Sequence, residues 1–511
     1  MAEQVSRGPS RQSQYIISQL AKTMPRLRIK HCVINGGLTL LLETALLVVA
    51  LSALGAIIAG VILLSVFYFV GKRSFRTIVQ RLFGLVIERL LSDKYHENLM
   101  ELWSAVRRTS VQTILEISLR AEEGKLIQRP LGSAKTLPHY DTLMFVAAQM
   151  ARLPKEASVP IDMKVTLGAK AKKPLQIDIP LMISGMGFGV GLSEEAKIAL
   201  SKAAKQLGTA TNSGEGPFLQ VEREAAGKFV WQISRTTWGH SPQGIAAADM
   251  LEVQMGQGAR MGPFTLEPNS VRGKAQELMG ISPVESVVTA AVISGINTPW
   301  DWPKYVTDLR VEAAGKPIAI KIMATGGLER DLAVCLEAGF DVLVLDGAQG
   351  GAGGASPLIC DDLGIPSLLA LVRAERFLRE QGARKDVSLV VAGGYATPGE
   401  CLKAIALGAD AIYLGTVPLF ALAHKQLHKV LPWEPITQLV WYDSPYKHRL
   451  DINLASKSVV NVFKSMTMEM EEGVRALGKT ALSELGPNDL VALDEWTAQV
   501  TGIKRAYPWQ N

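Results

Sequence analysis

From Ile179 onward, short apolar runs end in Gly- or Ser-rich turns and alternate with stretches whose apolar residues recur at helical spacing, the pattern of repeated β/α units. Eight runs can be counted: Leu181 to Ser184, Thr209 to Asn212, Phe229 to Ile233, Leu251 to Gln254, Ile318 to Ile322, Val342 to Leu345, Ser388 to Ala392 and Ala411 to Leu414. Eight strands with intervening helices over about 250 residues match an α/β fold of the (β/α)8 TIM-barrel type, with a doubly wound open sheet as the alternative. The barrel is favoured because chemistry-bearing residues follow nearly every run, and barrel enzymes place their active sites at the C-terminal ends of the strands. The interval Met255 to Lys316 is long enough to be an excursion over that face.

Upstream the pattern differs. Thr44 to Val70 is about 27 residues without a charge, more than the roughly 20 a helix needs to cross a bilayer. A membrane-spanning helix is expected there, and Glu43 argues against a hairpin that would use Val33 to Leu42 as a first arm. Arg26, Arg28 and Lys30 precede the span while Lys72, Arg73, Arg76 and Arg81 follow it, which slightly favours a cytoplasmic barrel. Ser74 to Ala151 alternates charged and apolar residues in the manner of amphipathic helices, as does Ser456 to Ala476 near the end. The predicted organisation is a basic segment 1–43, a transmembrane helix 44–70, a helical connector 71–165, the barrel 166–425 and a helical extension 426–511.

Composition narrows the function. Of 511 residues, 48% are hydrophobic and 20% charged, with a net charge of +6 whose excess lies in the first hundred positions. No basic face with interleaved aromatics is present, so nucleic acid is not an expected partner. Cys32, Cys335, Cys360 and Cys401 lie far apart without metal-ligand spacing and read as reduced thiols. His424 and His428 are four apart on a helix but have no third ligand nearby, so no metal site is expected.

The densest chemical signal is the run Asp346-Gly347-Ala348-Gln349-Gly350-Gly351-Ala352-Gly353-Gly354-Ala355-Ser356-Pro357, directly after the sixth apolar run. Glycine at five of these twelve positions implies close approach of backbone to a ligand, since a plain linker would not follow a strand and precede a helix. Gly393-Gly394 after the seventh run and Gly415-Thr416 after the eighth read together as a phosphate site, built from backbone N–H groups and a helix N-terminus. Lys321 sits near the end of an apolar strand, where an unpaired ammonium is costly, so it is either functional or a structural ion pair. Glu215 lies between two glycines at the mouth, and the amides of Gln232, Gln254 and Gln257 are suited to bonding the edge of a heterocycle.

In order, Ser184-Gly185-Met186-Gly187, Asn212-Ser213-Gly214-Glu215-Gly216, Gln257-Gly258-Ala259-Arg260, Ile320-Lys321-Ile322, the run Gly350 to Pro357, and Leu407-Gly408-Ala409-Asp410 resemble the FMN-binding synthase domain of glutamate synthase over roughly Ile179 to Ala423. The resemblance implies FMN in a (β/α)8 barrel that reduces 2-iminoglutarate, made from 2-oxoglutarate and ammonia, to glutamate. It further implies that Ser184, Gly185 and Met186 face the flavin, that Gly350, Gly351 and Gln232 contribute to the cofactor site, and that Gly393, Gly394, Gly415 and Thr416 hold the phosphate. Lys321 would lie by the flavin N1–C2 carbonyl edge, with Glu215 and Gln257 on the substrate side. Arg260 and Ser356 are the expected substrate contacts.

Three departures from the family pattern shape the expectation. The region where the family carries its 3Fe-4S cysteines reads Ala421-Leu422-Ala423-His424-Lys425-Gln426-Leu427-His428, so no iron–sulfur cluster is expected. No amidotransferase domain with an N-terminal cysteine is read, so glutamine would serve only through a partner that hydrolyses it. The family's lysine after Gln-Gly-Ala is Arg260, followed by Met261-Gly262-Pro263-Phe264, in a loop that shapes the keto-acid site. Oxidation of another amine or hydroxy acid, with Arg260 gripping a carboxylate, is therefore a second expectation, and a membrane-bound flavin sensor a third. No dinucleotide fingerprint is present, so electrons are expected from a ferredoxin-like protein, a separate reductase or a quinone. A homo-oligomer is compatible with these residues.

Overall fold

The computed structural model describes residues 31–92, 100–129, 131–258, 264–266, 271–282, 284, 286–351, 353–431 and 435–507. They divide into two units between residues 118 and 119. In the first, helix α1 (His31–Ser92) runs for 62 residues and contains the whole uncharged stretch. Its segment Ile58–Arg89 is long and apolar enough to cross a membrane, by length and composition, and its apolar side chains are exposed. The helix continues past the expected end of the span, through Gly71 and Gly84, with no proline to break it. Short helices Met100–Thr109 and Val111–Glu123 come next. The described residues between Gly124 and Ala151 are not helical, contrary to the periodicity; Gly124 and Gly132 take positive φ and Pro138 interrupts further.

The second unit is built on a closed barrel of eight parallel strands: β1 (Leu181–Ile183), β2 (Ala210–Asn212), β3 (Lys228–Ile233), β4 (Met250–Gln254), β5 (Ile318–Met323), β6 (Val342–Asp346), β7 (Ser388–Ala392) and β8 (Ala411–Leu414). Each begins and ends within a residue of its apolar run, and β8 closes on β1 through Tyr413↔Met182 and Leu414↔Ile183. The first strand is followed by helix α2 (Glu194–Leu207), which Ser193 caps by accepting from the Ala196 N–H and Gly208 ends in the left-handed conformation. After β8 come α3 (Thr416–Ala423) and the long α4 (Ile452–Ala476). Ala455, Val459, Phe463, Met466, Met470 and Val474 recur every three or four residues along α4 and join the same hydrophobic core as the barrel's outer face.

Inside the barrel, successive residues alternate in and out. The lower inward positions, such as Ala210, Val230, Met250, Ala319 and Val342, are apolar and pack against Leu167 and Leu175 of an antiparallel hairpin, Val165–Leu167 with Leu175–Ile177. Gly168 of that hairpin donates its N–H to Ser388 at the start of β7, so the hairpin closes the N-terminal mouth. The opposite mouth is left for the site. Between β4 and β5 lies the expected long excursion, which carries the hairpin Phe264–Leu266 with Val287–Thr289 and the helices Lys274–Met279 and Trp302–Ala313.

Candidate active site

One step higher along the same strands the inward positions turn polar: Asn212 on β2, Gln232 on β3, Glu252 and Gln254 on β4, Lys321 on β5 and Asp346 at the end of β6. Lys321 is 1% exposed. Its Nζ lies 3.1 Å from Asp346 Oδ2, donates to Gln257 Oε1 at 3.3 Å and stands 6.0 Å over the Tyr413 ring. Burial opposes its charge, but the carboxylates of Asp346, Glu252 and Glu215 together outweigh that and hold its pKa above the ordinary lysine value. Lys321 is thus a permanent cation at the floor of the mouth.

Above this floor is a cavity of about 370 Å³, within the range of small-molecule sites. From β1 it is lined by Ser184, Gly185 and Met186, and from the excursion and β2 loop by Gln257 and Glu215. Gly350 and Gly351 reach it from the glycine run, Gly393 and Gly394 from the end of β7, and Gly415 and Thr416 from the start of α3. Two expected residues stand elsewhere. Gln232 is beneath the cavity, donating to Glu252 Oε1 at 2.7 Å, because its strand position points into the barrel below Gly185. Ser356 is the N-cap position of the short helix Pro357–Asp362, half-buried and away from the lining. Arg260 lies outside the described residues.

The glycines are there for contact. Gly393 has φ 99°, and a Cβ on it would meet the Gly347 backbone at 2.8 Å; on Gly394 it would meet Gln349 Cβ at 2.7 Å. The loops after β6 and β7 therefore interlock, leaving their backbone open to the cavity. At the adjoining corner Gly415 precedes α3 with no side-chain cap, so the helix's first N–H groups are available to an anion. This open-backbone corner, opposite a fixed cation, fits a phosphate-bearing, electron-accepting cofactor such as FMN.

The supports were hidden in the sequence. Asp346 belonged to the glycine run without a role, although its two-residue spacing from Val344 on a strand beside Lys321 marks it as inward. Asn212 donates to Glu252 Oε1 at 2.9 Å and to Tyr413 Oη at 3.1 Å while accepting the Gly214 N–H at 2.9 Å. Lys197 of α2, almost wholly buried, pairs with Glu222 at 2.8 Å and donates to the carbonyls of Met186, Asn212 and Ser213 at 2.7, 3.0 and 3.1 Å. Burial pushes the Glu222 carboxyl up to about 7 against the pull of Lys197. Leu131 and Ser133 also line the cavity, held by Asp361, which accepts from Arg129 and, at 2.7 Å, from Ser133 Oγ. Nothing in the local pattern at 129–133 signals this approach across more than two hundred residues. Trp441, likewise at the cavity, comes from the segment after β8.

Behind Gly393 and Gly394, Glu400 accepts the N–H groups of Ala396 and Thr397 at 2.8 and 2.9 Å and starts the helix Pro398–Ala406. Burial raises its pKa, but His139, 3.6 Å away, and the two N–H bonds prevail and hold it at about 2. Since this lies below the ordinary value of 4.5, the unfolded chain binds the proton first on acidification, and stability is lost between pH 4.5 and 2. Glu400→Gln is expected to lower stability at pH 7 by about 1–2 kcal/mol, allowing for screening at a partly exposed carboxylate, and to flatten that acid limb. Urea unfolding at pH 7 and pH 3 measures both; equal pH slopes in the two proteins would refute the assignment.

Comparison with known proteins agrees with this geometry. The conserved region in glutamate synthase matches residues 118–480. The chain is 33% identical over 420 residues to the glutamate synthase large subunit-like protein of Rhizobium meliloti (strain 1021), covering 77% of this chain and 93% of that protein. It is 31% identical over 358 residues to the archaeal glutamate synthase [NADPH] of Archaeoglobus fulgidus, covering 65% of this chain and 66% of that protein. An archaeal-type glutamate synthase [NADPH] of Dehalococcoides mccartyi is 27% identical over 77% of this chain and 83% of its own length.

Proposed function

The chain belongs to the glutamate synthase family, and from that premise we propose that this FMN-dependent oxidoreductase reduces 2-iminoglutarate, formed from 2-oxoglutarate and ammonia, to glutamate. The observation that carries the reading is the single cavity bringing Lys321 together with the open backbone of Gly393, Gly394, Gly415 and Thr416. FMN, when bound, supplies two-electron hydride chemistry at its N5.

The protein's part is binding, orientation and charge. Gly393, Gly394, Gly415 and Thr416 would hold the phosphate through backbone N–H groups. Ser184, Gly185 and Met186 form one wall for the ring, and Gly350 and Gly351 keep the neighbouring wall free of side chains. Lys321 would hold its ammonium toward the flavin N1–C2 carbonyl edge and so would stabilise the negative charge of the reduced ring. Glu215 and Gln257 would face the substrate side, where the buried Glu215 carboxyl group would pass a proton taken from solvent to the imine nitrogen as hydride reaches the carbon, and the Gln257 amide would orient the imine. Arg260 would bind a substrate carboxylate as a bidentate donor.

Electrons come from a partner, a ferredoxin-like protein, a separate reductase or a quinone; a reductase would connect the site to NADPH, which the archaeal relatives carry in their names. The thiol-free segment from Ala421 to His428 supports transfer without an iron–sulfur cluster of this chain. The uncharged part of α1 would anchor the barrel to a membrane from the cytoplasmic side.

The purified full chain is expected to be yellow with a flavin spectrum, and to form glutamate from 2-oxoglutarate and ammonia when an artificial reductant is supplied. Colourless protein that takes up no added FMN would defeat the cofactor assignment. Yellow protein that makes no glutamate would move the reaction to another amine or hydroxy acid.

A further inference from the structure

Lys321 does not meet the cavity alone. Asp346, 5% exposed, lines the same cavity with its carboxylate 3.1 Å from the Lys321 ammonium. That carboxylate is wedged in place: a Cβ on Gly350 would fall 2.5 Å from Asp346 Oδ1, and one on Gly258 would fall 3.0 Å from it. Two glycines, one from the run after β6 and one from the loop after β4, thus leave room for this carboxylate. Among the described residues at the cavity, Lys321 faces two carboxylates, Asp346 and Glu215, with Glu252 buried beneath.

We infer that Asp346 is a positioning residue that aims the Lys321 ammonium and offsets its charge, so that the pair, rather than Lys321 alone, sets the reduction potential of the bound flavin. The inference rests on the FMN reading above. A lone buried ammonium beside the cofactor favours the electron-rich reduced state; a carboxylate held against it cancels part of that preference and keeps the potential lower. Because both groups are shielded from water and salt, the cancellation persists at physiological ionic strength.

The test uses the FMN-loaded full chain, its potential measured by equilibration against reference dyes. Asp346→Asn keeps the size and an acceptor oxygen for Lys321 but removes the charge. It is expected to shift the oxidised-to-reduced equilibrium at least tenfold toward the reduced form, a rise of about 30 mV for a two-electron couple. Lys321→Gln should shift it in the opposite direction, and the Lys321→Gln, Asp346→Asn double variant should lie well above Lys321→Gln, near wild type. Asp346→Asn protein that retains FMN at the wild-type potential overturns the inference, as does a double variant indistinguishable from Lys321→Gln. If Asp346→Asn alone does not fold, the comparison of the double variant with Lys321→Gln decides, since removing both members of the pair keeps the local net charge unchanged and strands neither of them. Wild-type protein that binds no FMN refutes the functional reading instead, a result distinct from loaded protein whose potential does not move.

Discussion

The Lys321→Ala protein is expected to be less stable than wild type by about 3–5 kcal/mol, the cost of stranding a buried charge, because the almost wholly buried Asp346 loses the ammonium 3.1 Å away. The same change is expected to slow glutamate formation by about 10²–10³-fold, through loss of a preorganised charge at the cofactor. Urea unfolding gives the first number, read from the midpoint at unchanged slope, and steady-state turnover gives the second. The two effects separate in the Lys321→Met, Asp346→Leu double variant. Replacing a buried ion pair by apolar residues of similar volume should recover most of the stability and none of the activity. Recovery of turnover in that variant, or wild-type behaviour of Lys321→Ala, would remove Lys321 from the chemistry.

Gly214→Ala is expected to be the most damaging methyl group that can be added near the site. Gly214 has φ 68°, and its Cβ would lie 2.4 Å from Gly187 N, 2.5 Å from Met186 C and 2.6 Å from Met186 N, all backbone atoms. The left-handed conformation costs about 1–3 kcal/mol for a residue with a side chain. Overpacking adds about 1–3 kcal/mol more, since neither loop can rotate away. Separating the β1 and β2 loops also shifts Ser184 to Met186, so the FMN content of the purified protein should fall. Gly280→Ala is the control: its φ is 67°, but its Cβ would meet nothing within 4 Å. It should incur the conformational cost alone and leave the flavin in place, and equal losses in the two variants would count against crowding as the cause.

What the sequence determined by itself was the set of strands and the chemistry at their ends. All eight barrel strands coincide with apolar runs to within a residue, because a parallel strand buried on both faces is apolar over most of its length, its polar residues lying mainly at inward positions toward the C-terminal end. Gly393, Gly394, Gly415, Thr416, Lys321 and Glu215 were legible for the complementary reason: a glycine pair or a charge at the end of such a run breaks the pattern. Three features were decided only in the tertiary structure. The first is which strand-end residues share a cavity: Gln232 points into the barrel while Gln257 reaches the site, a difference set by the two-residue alternation and the loop path. The second is the partner that keeps Lys321 charged, since parallel pairing of β5 with β6 across the intervening helix brings Asp346 beside it. The third is the arrival of Leu131, Ser133 and Trp441 at the mouth from segments outside the eight units. Local patterning reports what each segment must bury, whereas contacts between residues hundreds of positions apart depend on the geometry of the closed barrel.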